Sequence, residues 1–153
     1  MSRAFVRESD ADPGALPDRP ISSHPNFVTR RGLAAIETRV RELEVQRQAA
    51  RAGDDTTVRA SVERELRYWS ARRASARLIE PAAADRVRFG MRVTLVLPTG
   101  TRQTFRLVGE DEADAGQGLI SWTAPLAQSL LGREAGESVP FQGAEAEIVS
   151  IEP

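Results

Sequence analysis

From Leu33 to Ala76 the seam positions recur at intervals of three and four residues, and the rhythm breaks once, within "RAGDDTTV" at residues 51–58. Leu33, Ile36, Val40, Leu43, Arg47 and Ala50 form the first run, and Val58, Val62, Leu66, Trp69, Arg73 and Ala76 the second. Such spacing lines up one stripe along a helix, and two stripes joined by a few residues must fold back on each other to leave water. Thr29 is a good cap for the first helix, Gly53 a stop, and Asp55 or Thr56 a cap for the second, which Ile79 closes and Pro81 ends. Each helix runs roughly 22 residues, so an antiparallel hairpin about 33 Å long is predicted. Its seam is short and thins towards the tip, and Arg47 and Arg73 at seam positions can lay their stems along it and keep their charges in water.

The period then changes. "MRVTLVLPTGTRQTFRLVGEDEA" alternates at Val93, Leu95 and Leu97, turns at Pro-Thr-Gly and resumes at Phe105 and Leu107, which predicts a β-hairpin. "GLISW" reads as a short strand, "APLAQSLLG" as a short helix ended by Gly132, and "GESVPFQGAEAEIVSIEP" as two strands around Gln142-Gly143. The predicted class is α+β: an antiparallel helical hairpin over residues 28–80, then an antiparallel sheet with one short helix over 85–153. Pro13, Pro17, Pro20 and Pro25 make residues 1–27 an extended, flexible tail that Ile21 and Phe27 can pin at its end.

Charge divides the chain along the same boundary. Residues 29–80 carry twelve Arg against eight Asp and Glu, whereas residues 85–153 carry six against ten. A basic half and an acidic half favour a partner with a patterned charge, although a solvated helix surface gives the same count. With no cysteine and one histidine, His24, disulfides, thiolate metal sites and histidine clusters are excluded. No basic leader precedes an apolar run, and no window nears the ~20 apolar residues of a membrane span, so a cytoplasmic protein without a membrane partner is expected.

Three stretches resemble the Gre-type transcript cleavage factors of bacterial RNA polymerase. They are "VTRRGLAAIETRV", "FRLVGEDEAD" with Arg106, Val108, Gly109, Asp111, Glu112 and Asp114 in register, and "ISWTAPLAQSLLG" with Ala124 where a serine is usual. The likeness spans residues 26–153. It implies a coiled-coil finger on an FKBP-like domain, a monomer that grips the rim of the polymerase secondary channel and acts on stalled or backtracked complexes. Ser121, Pro125 and Gln128 then face the rim. Arg39, Arg47, Arg51 and Arg59 are stem contacts on grounds of charge, and Asp54 with Asp55 forms the fingertip beside the nascent RNA 3′ end.

The resemblance implies no cofactor of the chain's own. The fingertip would help hold a Mg²⁺ of the polymerase active site, where the polymerase itself hydrolyses the transcript, because two-metal cleavage needs added anionic ligands. Two departures bear on this. Thr57 stands where the family fingertip has a glutamate, and both arms are shorter by a similar length, which withdraws the tip. Asp54 and Asp55 therefore keep a structural reading as helix caps beside the catalytic one.

Two rival functions stay open: a factor that only docks in the channel and competes there, and a coiled-coil adaptor unrelated to transcription. Of the remaining motifs, "EDEAD" at 110–114 lacks the spacing of a calcium loop and reads as a solvated structural or docking loop. His24 is expected in a turn, and Trp69 and Trp122 are expected to bury area at the seam and the domain junction. A prolyl isomerase pocket wants several aromatic side chains, and the last segment offers only Phe89, Phe105, Trp122 and Phe141, so that activity is not expected.

Overall fold

The computed structural model describes residues 15–153. The expected tail as far as residue 14 lies outside the described residues. Helix α1 spans Arg30–Ala52 and helix α2 Thr56–Ser75. The Thr29 hydroxyl accepts the Gly32 N–H at 2.9 Å and starts α1, and the chain leaves it in extended geometry at Gly53. Val40 and Leu43 bury against Leu66 and the half-buried Trp69, and Ile36 and Val62 are buried as well. Beyond Leu43 the seam thins as predicted: Arg47 and Ala50 are half-buried and Val58 is exposed.

The end of α2 departs from the prediction. The helix stops at Ser75, four residues before Ile79, and Arg72 is buried while Arg73 is exposed. The cause is Asn26, whose side-chain amide donates to the Arg72 carbonyl (2.8 Å) and to Ser75 Oγ (3.1 Å). Arg77 N–H then donates to the Asn26 carbonyl and Ile79 N–H to the Val28 carbonyl. The chain is drawn out of the helix, and strand β2 (Arg77–Leu78) pairs in parallel with β1 (Phe27–Val28).

Five further strands form the second layer: β3 Arg92–Val96, β4 Arg102–Val108, β5 Leu119–Ser121, β6 Ser138–Phe141 and β7 Ala144–Glu152. They lie in the order β5-β4-β3-β7-β6. Three pairings are antiparallel, as expected; β5 runs parallel to β4, so the sheet is mixed. The reason is the connection at 109–118, which carries the chain back through a 3₁₀ turn at Ala115–Gln117 before β5 begins. Helix α3 (Pro125–Leu130) covers one face. There Ala127 and Leu130 pack with Val93, Leu95, Leu107 and Ile148 in the main core. The class is α+β, as the change of period predicts. No helix of the described residues is long and apolar enough to cross a membrane.

Candidate functional site

Two regions of the hairpin matter: the tip and the base. At the tip, Asp55 is the N-cap of α2, its Oδ1 accepting the N–H groups of Thr57 (2.9 Å) and Val58 (3.1 Å). That satisfies two of the free donors at a helix start and sets a carboxylate against the positive end of the helix. Asp54 is exposed, and among the described residues no hydrogen bond or ion pair engages its carboxylate. The adjacent acids therefore divide: one is held by the backbone and one faces solvent. Among the described residues no cluster of three histidines or acids is arranged to hold a metal ion.

Along the stem, Arg39 Nη1 lies 3.5 Å from Glu42, and Arg51 is exposed. Arg47 and Arg59 are half-buried, each with its Nε enclosed and without a hydrogen-bond partner among the described residues. With Arg47 at a seam position, Arg39 and Arg51 fall on opposite sides of that seam.

The base is a clamp of buried charge. Arg72, 2% exposed, donates from Nε to Asp111 Oδ2 (2.6 Å) and from Nη2 to Asn26 Oδ1 (2.8 Å), with Glu110 at 3.7 Å. Tyr68 donates its hydroxyl to the other oxygen of Asp111 at 2.5 Å. Burial, reinforced by that hydrogen bond and the Asp111 charge, pushes the Tyr68 phenol up to about 12. The Thr29 hydroxyl donates to Glu112 at 2.5 Å while capping α1. Gly109 lets the loop approach β1 so closely that a Cβ there would stand 2.4 Å from the Phe27 carbonyl oxygen.

The acidic run 110–114 is a structural loop, one of the two roles expected of it, but it is not solvated throughout. Its first three acids are half-buried and tie the sheet to both helices, while Asp114 caps the 3₁₀ turn. Sequence reasoning missed Arg72, Tyr68 and Asn26. The adjacent arginines 72 and 73 offered the seam two phases, and nothing local marks Asn26 as a cap for a helix 46 residues away.

The third predicted group sits where β5 meets α3. Ser121 Oγ accepts the Thr123 N–H (3.2 Å) and lies 2.7 Å from the Thr123 hydroxyl. Pro125 opens α3 and is exposed, and Gln128 returns its amide to the Trp122 carbonyl at 2.6 Å. These three share one turn-and-helix surface, away from the hairpin tip by the length of the stem. The Trp122 ring packs on Phe27 (5.0 Å between centroids) and meets His24 edge-on (5.8 Å), so it buries area at the junction as expected. Trp69 does the same on the hairpin.

Comparison with known proteins bears on the whole arrangement. Residues 81–153 match the family described as transcription elongation factor GreA/GreB, C-terminal domain. Transcription elongation factor GreA of Alkalilimnicola ehrlichii is 39% identical over 97 residues, 60% of this chain and 61% of that one. Transcription elongation factor GreB of Neisseria meningitidis serogroup B is 37% identical over 98 residues, 60% of each chain. The chain thus spans about 60% of the length of these two relatives. GreA of Paracoccus denitrificans is 31% identical over 148 residues, taking in 81% of this chain and 95% of that one. The crystal structure of GreA factor homolog 1 of Thermus thermophilus is 18% identical, covers 85% of this chain and 100% of that one, and has a TM-score of 0.41. That structural likeness carries no weight beside the Paracoccus relative, whose match takes in four fifths of this chain: the chain belongs to the GreA/GreB family of transcription elongation factors.

Proposed function

We propose that this chain binds RNA polymerase at the rim of its secondary channel, sends its hairpin into the channel and acts on stalled or backtracked elongation complexes. The surface carrying Ser121, Pro125 and Gln128 takes the rim. Arg39, Arg47, Arg51 and Arg59 meet acidic channel walls or RNA phosphates, in a manner that weakens with salt. The chain acts as an accessory factor; any hydrolysis belongs to the polymerase and its Mg²⁺.

The observation that carries the reading is a stiff hairpin, clamped at its base to a separate globular anchor, whose far end is solvent-exposed. Such a body delivers its tip to a fixed depth. What the tip does there follows from its two acids. Asp55 spends its carboxylate on the start of α2, which leaves Asp54 as the carboxylate free to approach a metal. A second cation needs more than one new anionic ligand beside the polymerase's own. The reading favoured is therefore occupation of the channel in competition with other ligands, without strong stimulation of cleavage.

Halted elongation complexes test it. Incubation with the protein is expected to give a stable complex whose RNA keeps its length, and whose response to a cleaving factor is suppressed. Shortened transcripts, abolished by Asp54→Asn, would restore the cleaving reading. A stable dimer with no affinity for core polymerase would leave only the adaptor.

A further inference from the structure

Residues 16–26 run along one flank of α2 in the helix's own direction, with Pro17 beside Arg64 and Asn26 beside Arg72. The Pro17 carbonyl accepts from Arg64 Nε (2.8 Å) and the Asp18 carboxylate from Arg67 Nε (2.5 Å). Arg19 donates to Glu65 (2.8 Å) and lays its guanidinium over the Tyr68 ring at 3.8 Å. The two ends of this stretch are held differently. Asn26 and Val28 are buried and fix it to the junction, whereas Leu16 and Ile21 are 39% and 51% exposed. No large apolar side chain anchors residues 16–21, and their attachment rests on hydrogen bonds and ion pairs. Such contacts at a surface contribute little singly and weaken with salt. Pro17 and Pro20 keep the stretch extended whether docked or lifted, so re-docking costs little conformational entropy.

The helix side of this contact is ready-made. The Tyr68 hydroxyl is held by Asp111, which fixes the ring whose face Arg19 covers. Around it the charges are mixed: Glu63, Arg64, Glu65 and Arg67 stand within five residues. Asp18-Arg19 answers them with the carboxylate on Arg67 and the guanidinium on Glu65 and Tyr68. A uniformly anionic chain, such as a phosphodiester, would bring phosphates against Glu63 and Glu65 as well, where like charges repel. The pattern suits an extended peptide in which an acidic residue is followed directly by a basic one.

We propose that this flank of α2 is a recognition site for such a segment of a partner protein, and that residues 16–21 occupy it in the free protein as a releasable strap. Arg67 takes the partner's carboxylate, Arg64 a backbone carbonyl, and Tyr68 with Glu65 the following cation. The strap hinges at the buried Asn26, and the partner must displace it to bind. This goes beyond the channel reading and does not depend on it, since the strap belongs to the free protein.

The Nε–H signals of Arg64 and Arg67 in nitrogen-15 NMR report the strap directly, because each donates to it. In the full chain carrying Asp18→Arg/Arg19→Asp, like charges face Arg67 and Glu65, so both signals should leave their strap-bound positions while the buried Arg72 Nε–H keeps its own. The probe is a synthetic peptide of residues 16–25, LPDRPISSHP. A tethered strap acts at an effective concentration of millimolar order, so the peptide is expected to move both signals in the variant at concentrations at least about tenfold below those wild type requires. The same peptide with its aspartate and arginine transposed should move neither. A native-sequence peptide that leaves the variant's signals in place at millimolar concentration overturns the proposal. So does an equal requirement in the two proteins, or an equal response to the transposed peptide. A hexauridylate that moves the signals at lower concentration than the peptide assigns the flank to phosphodiesters and overturns it as well. Salt tests release without substitution: in wild type the Arg64 and Arg67 signals should shift between about 0.05 and about 1 M NaCl while Arg72 holds. Signals that salt leaves in place show that the strap does not lift, and overturn the proposal.

Discussion

Tyr68 reports on the clamp with unusual directness, because it is the one tyrosine in the chain. Its phenol donates to Asp111 and is pushed up to about 12, first by burial and then by the neighbouring carboxylate. Folding therefore favours the neutral form. The stability this contributes is intact below the ordinary phenol value near 10 and is lost as pH rises through about 12, because only the unfolded chain releases the proton between them. Absorbance at 295 nm against pH is expected to show a midpoint near 12 for the native protein and near 10 in denaturant. Asp111→Asn removes the charge and weakens the acceptor, so its midpoint should fall only part of the way, since burial is the larger cause. A native midpoint already at 10 would mean that Tyr68 does not hold Asp111 in solution. The same carboxylate carries Arg72 on its other oxygen, so one side chain on the sheet domain holds two positions of α2, four residues apart on one helical face.

At the scale of elements, much of the hairpin was legible because its signals are local. The seam through Leu43, the Thr29 cap, the Gly53 stop and the Asp55 cap each follow from a few neighbouring residues. The last turn of α2 was not legible. Arg72 and Arg73 suit an amphipathic seam equally, and the choice is made by Asp111 and Asn26, far away in sequence. Strands β1 and β2 were invisible for the same reason, having two residues each and no period to read. The parallel placement of β5 depends on the path of its loop and not on its own alternation. Even the tip was half legible: spacing gave Asp55 a capping role, while the docked course of residues 15–26 left no local mark.

Two glycines at the junction separate close packing from flexible contact. An added Cβ at Gly109 meets the Phe27 carbonyl oxygen at 2.4 Å, which is backbone, so β1 itself must move. At Gly32 it meets Glu112 Oε2 at 2.7 Å, the far end of a side chain that can swing away. Gly32→Ala loses the bond from Thr29 to Glu112, about 1 kcal/mol, and gains about as much in helix propensity. Gly109→Ala carries an overpacking cost of about 1–3 kcal/mol with nothing to offset it. Urea unfolding is expected to leave Gly32→Ala within about 0.5 kcal/mol of wild type and to place Gly109→Ala at least about 1 kcal/mol below it. The reverse order would show that the loop, not β1, is the part that yields.

The whole molecule has two apolar cores of unequal size, and what joins them is largely polar. The sheet core unites nine buried residues, whereas the hairpin cluster rests on Val40, Leu43 and Leu66 with Trp69 beside it. A three-residue seam is a weak basis for two helices to stay paired in water. The hairpin must therefore draw stability from its attachment, through Arg72, Asp111, Asn26 and the β1–β2 pair. Removing one partner of a buried ion pair costs about 3–5 kcal/mol because the other is stranded. In Arg72→Ala that cost should fall on the hairpin and its neighbouring loop more than on the sheet core. Wild type is expected to lose its helical signal at 222 nm and the fluorescence of Trp122, read in a Trp69→Phe background, at the same urea concentration. In Arg72→Ala the helical signal should vanish first, leaving a folded sheet. Coincident curves shifted together would mean instead that the seam suffices to hold the rods and that Arg72 stabilises the molecule as one unit. The distinction matters for action: a finger stiffened at its base transmits the anchor's orientation to its tip, whereas one stiffened along its seam could pivot freely while staying straight.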